Sequence, residues 1–281
     1  MARVCSSVMG MMLCLTAQAQ KEPAASNARI LLVPRRMISG ERATLAVLDV
    51  NGRLTPGVAI QFSNGDKVTT DATGRALFVA PLNQGVLFAS IVGRPGRATT
   101  AILPAGGAES DAKVEMAPHV ASLVDRFEVT GSGFCGDADK NEVTVGGQPA
   151  FVLASSPNAL TVLPPLDATV GESEVVIGCG KQGPARFKLT LVSLRLEADT
   201  SPLQPGQERT LRVSVTGTQE KIQLEARNLA AEVAELAGGN PVRAFTSGGR
   251  ENSAEFKVTG KKRGNFVVSI RLLPAMVKPS N

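Results

Sequence analysis

Few residues in this chain of 281 could perform acid–base or metal chemistry. His119 is the one histidine, and there is neither tyrosine nor tryptophan. A Ser-His-Asp triad would have to use His119, yet the sequence has no Gly-x-Ser-x-Gly elbow to present a serine. A single histidine beside Pro118, near the start of a strand, is more typical of a surface position. We therefore predict a protein that is not an enzyme and that needs no cofactor.

A second candidate for chemistry is the alternating trio Asp137, Asp139 and Asn141, whose oxygens could approach calcium. An EF-hand loop would require glycine at its sixth position and glutamate at its twelfth. Glu142 and Gln148 stand there instead. The pattern therefore favours a solvated loop over an adventitious calcium site, and we predict no metal site.

The N-terminus carries a targeting signal. Arg3 precedes an apolar run over residues 8–15, and Ala17-Gln18-Ala19 has the small-x-small pattern of a cleavage site. We predict a cleaved signal peptide over residues 1–19, which is too short to span a membrane. A flexible segment over residues 20–28 follows. With no other long apolar run, the mature chain is expected to lack a transmembrane segment and to be periplasmic, surface-located or secreted.

Cleavage would change the cysteine inventory, because Cys5 and Cys14 lie within the signal peptide. Leu13 precedes Cys14 where a lipidation signal needs a small residue, so a lipid anchor is disfavoured. Cys135 and Cys179 remain, and two cysteines in an exported protein predict one disulfide. No Cys-x-x-Cys motif exists, so we expect a structural link that contributes about 4 kcal/mol. The same two cysteines with His119 would not complete a zinc site.

Strand-like alternation dominates the mature chain, and 28 glycines and 17 prolines punctuate it. The remaining length, about 260 residues, suits three sandwiches of roughly 80 to 100 residues each. The predicted fold is all-β, with three tandem immunoglobulin-like β-sandwiches. The predicted segments are 29–103, a first sandwich; 104–113, a linker; 114–192, a central sandwich; 193–274, a third sandwich; and 275–281, a C-terminal tail.

The stretch from Val129 to Gly147 is the most informative part of the sequence. Gly131 and Gly133 are expected to take backbone angles closed to other residues, which lets the following Phe134 enter a core. Val143 and Val145 then alternate with polar residues, as in a strand with one buried face. A strand, Gly-x-Gly-Phe, a variable loop and a valine strand ending in Gly-Gly resemble the IPT/TIG family of immunoglobulin-like domains. The resemblance covers roughly residues 114–192.

The flanking sandwiches resemble another group of domains. Residues 69–81, Thr-Thr-Asp-Ala-Thr-Gly-Arg-Ala-Leu-Phe-Val-Ala-Pro, are similar to a segment of bacterial Ig-like domains in adhesins of the invasin and intimin type. Residues 247–260 and 264–270 look like the last strands of such a domain. These resemblances imply modules that bind through end loops and strand edges.

Three local expectations follow from composition. The apolar run Leu189–Leu196 is almost unbroken, which predicts a short, stiff junction between the second and third sandwiches. The alanine-rich segment Asn228–Leu236 has the composition of a short helix as well as of a turn. Phenylalanines such as Phe62, Phe78 and Phe256 occupy alternating core positions, so a stacking platform for sugars is disfavoured.

Charge is unevenly distributed along the chain. Residues 20–110 carry 10 Lys/Arg and 6 Asp/Glu, residues 111–190 carry 6 and 10, and residues 191–281 carry 13 and 9. The densest basic cluster is Lys261-Lys262-Arg263. It is our candidate contact for an anionic surface, with a charged hairpin tip as the simpler interpretation. An exported chain without stacking tyrosine or tryptophan gives little support to nucleic-acid binding.

The sequence as a whole predicts an exported, non-catalytic protein that binds another protein or a component of the cell envelope, including anionic polysaccharide. Two alternatives remain open: an accessory subunit of an extracellular or periplasmic carbohydrate-active enzyme, and a passive structural spacer. Binding should depend on particular loop residues, whereas a spacer should tolerate changes in its loops and respond to deletion of a domain.

Overall fold

The computed structural model describes residues 29–105, 111–180, 183–199 and 201–279. The predicted signal peptide and the segment 20–28 lie outside the described residues. Within them the regular structure is β-strand, apart from one turn of 3-10 helix at Ala138–Lys140. The fold is all-β, as predicted from the sequence. None of the described helical structure is long and apolar enough to span a membrane.

Eight strands form the first sandwich. They are β1 Arg29–Leu32, β2 Arg36–Ile38, β3 Arg42–Asp49, β4 Ala59–Phe62, β5 Lys67–Thr69, β6 Arg75–Val79, β7 Gly85–Ile91 and β8 Ala98–Leu103. Strands β1, β3 and β6 make one layer, and β2-β8-β7-β4-β5 make the other. Met37, Leu45, Ile60 and Phe62 are buried between the layers, because alternate residues of facing strands point to the same core.

Nine strands form the second sandwich. They are β9 Lys113–Pro118, β10 Val120–Ser122, β11 Phe127–Ser132, β12 Asn141–Val145, β13 Gln148–Pro149, β14 Phe151–Ser156, β15 Ala159–Leu163, β16 Gly171–Cys179 and β17 Ala185–Glu197. Layer β14-β15-β11-β9 faces layer β13-β12-β16-β17, and β10 runs parallel to β17. Phe127, Phe134 and Leu189 fill the core. Val143 and Val145 point inward with them, as the alternation predicts.

Seven further strands complete the third sandwich and the C-terminus. They are β18 Glu208–Thr216, β19 Gln223–Asn228, β20 Ala234–Leu236, β21 Val242–Phe245, β22 Ser253–Gly260, β23 Val268–Leu273 and β24 Met276–Val277. Layer β17-β18-β22-β20 faces layer β21-β19-β23 over a core that includes Leu224 and Phe256. The alanine-rich segment is not a helix, because it contains the end of β19, a turn and β20.

The second and third sandwiches share strand β17. Its residues 185–191 pair with β16, and its residues 193–197 pair with β18. Val192 lies between these two runs and is fully buried in the third core. The tail predicted for residues 275–281 also contributes a strand, since β24 pairs with β9 of the second sandwich. Because one continuous strand belongs to both sheets, few backbone bonds between the two sheets are free to rotate.

The first and second sandwiches pack against each other through strand β3. Its residues 43–48 are all buried, although sequence alternation predicts one buried face. One face of β3 belongs to the first core, while Ala46 and Leu48 contact Leu153 and Ala154 of the second sandwich. A β-bridge between β3 and β14 accompanies this contact. The second buried face therefore results from the neighbouring sandwich, which no local pattern encodes.

Candidate functional site

The loop after β11 contains the disulfide. Cys135 is bonded to Cys179 at the end of β16, with 5.4 Å between their Cα atoms, so the predicted disulfide is confirmed. Phe134 is buried, and the preceding Gly133 has a φ of 73°. Gly131 differs from the prediction, because its φ is not positive. A side chain there would instead overlap the Lys113 carbonyl of the neighbouring strand.

The three residues with calcium-like spacing have other tasks. The Asp137 carboxylate accepts a hydrogen bond from the Asp139 backbone, and Asp139 pairs with Arg75 at 2.6 Å. The Asn141 side chain donates to the Cys135 carbonyl at 2.9 Å and accepts from the Cys135 N–H at 2.9 Å. Across the described ranges, no three His, Cys, Asp or Glu side chains are grouped to hold a metal ion.

The sequence predicts a solvated loop here, but part of this loop lies against the first sandwich. Thr44 donates to the Gly136 carbonyl at 2.9 Å and accepts from the Ala138 N–H at 3.1 Å. Any side chain at Gly136 would overlap the Arg42 carbonyl, so glycine is required for this close approach.

Arg75 also lies at the contact between the first and second sandwiches, and its side chain is only 8% exposed. It donates to the Val152 carbonyl at 3.2 Å, and its guanidinium lies 5.1 Å from the centre of the Phe151 ring. Together with the ion pair to Asp139, these contacts join Arg75 to three residues of the second sandwich. Arg75 therefore connects the two sandwiches and is not available to a ligand.

The predicted anionic-surface contact, Lys261-Lys262-Arg263, follows strand β22. All three residues are exposed, but Lys261 pairs with Glu235 at 2.7 Å. One of the three charges is therefore compensated.

His119 is also at the surface, where its Nε2 lies 3.3 Å from a carboxylate oxygen of Glu220. Both side chains are more than half exposed. The pair links the segment between β9 and β10 to the third sandwich.

A cluster of charged side chains lies on the outward face of the layer β21-β19-β23. In its central strand, Leu224 and Ala226 point into the core, so Glu225 and Arg227 point outward. Glu225 is directly opposite Arg243 of β21 and Arg271 of β23. We call these four charged residues, together with Phe245 of β21, the arginine face.

The Glu225 carboxylate is surrounded by guanidinium groups. Arg271 donates to its Oε1 at 2.7 Å through Nη2 and at 3.2 Å through Nε, and Arg243 donates to its Oε2 at 3.0 Å through Nε. Nη2 of Arg227 is 3.9 Å from Oε1. Glu225 is 2% exposed, whereas the three arginine side chains are 48%, 54% and 59% exposed. A single carboxylate thus orients Arg243 and Arg271 by hydrogen bonds and lies close to Arg227, and all three arginines remain about half in water.

Electrostatics keep this carboxylate ionised. Burial is the largest influence on Glu225 and opposes its charge. The hydrogen bonds and positive charges of Arg271 and Arg243 outweigh burial, so the pKa of Glu225 lies below its ordinary value. Three cations and one anion give the arginine face a net charge of about +2 at neutral pH.

Aromatic exposure distinguishes this face from the other outward phenylalanines. The Phe88 ring on the first sandwich is covered by Arg97, whose guanidinium lies 4.2 Å from the ring centre. That pair lines an open hollow of about 600 Å³. The Phe151 ring has Arg75 over one face and is 43% exposed. Phe245 is 66% exposed, which makes its ring accessible to another molecule.

The arginine face is not evident in the sequence, because its members are scattered over residues 225–271. The alternation in β19 was sufficient to place Glu225 and Arg227 on the outward side. Their proximity to Arg243 and Arg271, however, depends on the pairing register of three strands. Without that register, the contiguous cluster Lys261-Lys262-Arg263 is the most conspicuous basic feature.

Comparison with known proteins gave only distant similarities. No protein-family profile matches the chain, and no curated protein matches it. A Bacteroides ovatus protein of a mixed-linkage glucan utilization locus, SGBP-B, is 12% identical over 86% of this chain and 73% of its own, with a TM-score of 0.29. The Escherichia coli adhesin FdeC is 15% identical over 90% and 96%, with a TM-score of 0.24. The Yersinia pseudotuberculosis adhesin InvE is 12% identical over 63% and 62%, also at 0.24. These values are too low to carry an argument about function.

Proposed function

We propose that this protein is an exported, non-catalytic multi-Ig protein that binds another protein or a component of the cell envelope. The observation that supports the proposal most directly is the arginine face, where oriented guanidinium groups lie beside an exposed phenylalanine. Arginine and aromatic residues are enriched among the side chains that dominate binding energy at interfaces. The resemblance of residues 114–192 to IPT/TIG domains is part of the same proposal.

A passive spacer is the second candidate. It is favoured by the shared strand β17 and by the buried contact of β3 with the second sandwich. These features hold the sandwiches together but require no ligand. A spacer and a binding protein differ in one measurable respect, which is their sensitivity to replacement of an exposed side chain.

The test is affinity capture with immobilised residues 20–281. A detergent extract of the source cells' envelope and the isolated envelope polysaccharide are passed over the protein and over two variants. Phe245→Ala removes the exposed ring of the arginine face. Leu166→Ala removes an equally apolar side chain from the second sandwich, where Leu166 is fully exposed, and serves as the matched control.

We expect saturable capture by the wild type and by Leu166→Ala, and reduced capture by Phe245→Ala. A truncated aromatic at a binding hot spot typically costs about 2 kcal/mol or more, so the loss should be easily measured. Absence of saturable capture would contradict the proposal and favour the spacer. Saturable capture that Phe245→Ala leaves unchanged would show that the binding site is not the arginine face.

A further inference from the structure

The arginine face is arranged in rows across three strands. Arg243 and Arg271 are both opposite Glu225, so their Cα atoms are separated by two strand spacings, about 10 Å. In the adjacent row, Gln223 lies between Phe245 and Leu273. The outward side thus presents a cationic row beside a row that is partly apolar and partly able to form hydrogen bonds.

The guanidinium groups retain donors for a ligand. Arg243 donates to Glu225 through Nε. No other acceptor among the described residues is hydrogen-bonded to its two terminal nitrogens. Arg271 uses Nε and Nη2 on a single carboxylate oxygen. A guanidinium held in this way offers paired N–H groups whose geometry matches a carboxylate or a phosphate.

The openness of the surface indicates the kind of ligand. The three arginine side chains and Phe245 are each about half exposed or more. The layer measures about 10 Å across its strands and about 20 Å along them, roughly 200 Å². A stable protein partner normally buries about 800 Å² on each side. A chain of sugar residues requires less area, because its affinity can come from repeated charged groups that engage in turn.

The neighbouring side chains also fit a sugar polymer. Gln223 is half-buried and Ser269, which is opposite Arg227, is exposed. Their amide and hydroxyl groups match the hydroxyls of a pyranose ring. The exposed Phe245 ring can contact the apolar side of such a ring. A sugar polymer that carries carboxylates beside hydroxyls could bind the cationic row through its carboxylates and the adjacent row through its hydroxyls.

We propose that the arginine face binds the carboxylate groups of an acidic polysaccharide, with Arg243 and Arg271 as the principal contacts and Arg227 as the third. Glu225 is a positioning residue that holds the guanidinium planes of Arg243 and Arg271 by hydrogen bonds and does not touch the ligand. This inference rests on the proposed binding function. It assigns the contact to scattered arginines of the sheet and not to Lys261-Lys262-Arg263.

The test measures binding of residues 20–281 to polygalacturonate by titration calorimetry, with fully methyl-esterified polygalacturonate and poly-glutamate as comparison ligands. Binding should disappear with the ester, which lacks the charge, and should weaken as salt rises. Poly-glutamate has the carboxylates without the hydroxyls and is expected to bind more weakly. Equal binding of poly-glutamate would overturn the assignment to a polysaccharide.

Two double variants with the same loss of charge locate the site. Arg243→Gln/Arg271→Gln should weaken binding by at least about tenfold, because each lost charge-assisted hydrogen bond is a strong one. Lys262→Gln/Arg263→Gln is the control and should change affinity by less than about threefold. Equal effects of the two pairs would show that binding follows overall charge, which would overturn the proposal.

Glu225→Gln separates positioning from attraction. It makes the face more positive, so attraction alone predicts tighter binding. A positioning role predicts weaker binding, because the guanidinium groups lose the carboxylate that orients them. Arg243→Lys is the second variant in case Glu225→Gln unfolds. It keeps the charge but loses the planar fork, and unchanged affinity for this variant would also overturn the proposal.

Two patterns of binding separate the polysaccharide ligand from the broader binding function. Absence of polygalacturonate binding, with envelope capture that still depends on Phe245, would overturn the polysaccharide assignment alone. Absence of both would remove the proposed function as well.

Discussion

Glu225 is nearly inaccessible to water, yet it is fully ionised at neutral pH because cations surround it. A buried carboxylate without partners would have a raised pKa, since burial disfavours charge. Here the arginines of both adjacent strands reverse that effect. The carboxylate compensates part of their mutual repulsion, and the arginines compensate its lost hydration. The four side chains therefore form one electrostatic cluster, in which replacement of one member changes the charge balance of the others.

Stability should depend on this carboxylate in a pH-dependent way. The pKa of Glu225 is lowered from 4.5, so its contribution is present above about pH 4.5 and is lost as the pH falls through the lower folded-state pKa. At pH 7, Glu225→Gln should reduce the free energy of unfolding by about 1 to 2 kcal/mol. At pH 3 the difference between the two proteins should be smaller. Urea unfolding at both pH values measures it.

Glu235→Gln is the control for this pH dependence. Glu235 forms an exposed ion pair with Lys261, and such pairs contribute about 0 to 1 kcal/mol. Its replacement should have little effect at either pH. A stability difference for Glu225→Gln that stays constant from pH 7 to pH 3 would contradict the role assigned to the ionised carboxylate.

Arg75 belongs to the segment that resembles bacterial Ig-like domains, and it is the first residue of strand β6. Its structural role depends on residues outside that segment. In the structure its donors are taken by Val152 and Asp139 of the second sandwich. This assignment could not be made from the sequence, because the partners are 64 and 77 residues away.

At the scale of strands, sequence patterns predict well whatever depends on one element alone. The alternation of β12 placed Val143 and Val145 in the core, where both are found. The second buried face of β3 and the strand β24 escaped prediction. Each of them depends on an element that is distant in sequence, and the arginine face is hidden for the same reason. Strand register and the packing between sandwiches are therefore the two properties that the local sequence patterns do not predict.

The disulfide acts at this scale, because it ties the loop after β11 to the end of β16 across 44 residues of sequence. In the chain-entropy description, a closed loop of this length stabilises the fold by about 4 kcal/mol. Cys135→Ser/Cys179→Ser should lower the free energy of unfolding of the second sandwich by about that amount in denaturant. Thiol titration of denatured, unreduced residues 20–281 should find no free thiol. Detection of two would contradict the bond.

For the whole molecule, the main structural consequence is coupling between the first two sandwiches. Arg75, Thr44 and strand β3 connect them by an ion pair, hydrogen bonds and apolar contacts. Domains joined only by a flexible segment would unfold separately, whereas domains that bury such a surface stabilise each other. Coupling of this kind also keeps the first sandwich in place relative to the shared strand β17 that leads to the arginine face.

Ala154→Asp tests the coupling, because Ala154 is fully buried in the contact between the sandwiches. A carboxylate without a partner at this position should destabilise the contact by about 3 kcal/mol or more. In calorimetry we expect the wild type to unfold its first two sandwiches in one transition and Ala154→Asp to show two. Ala72→Asp is the matched control, since Ala72 is exposed on the first sandwich. Identical melting of the two variants would mean that the buried contact contributes nothing, and the sandwiches would then be coupled by the chain alone.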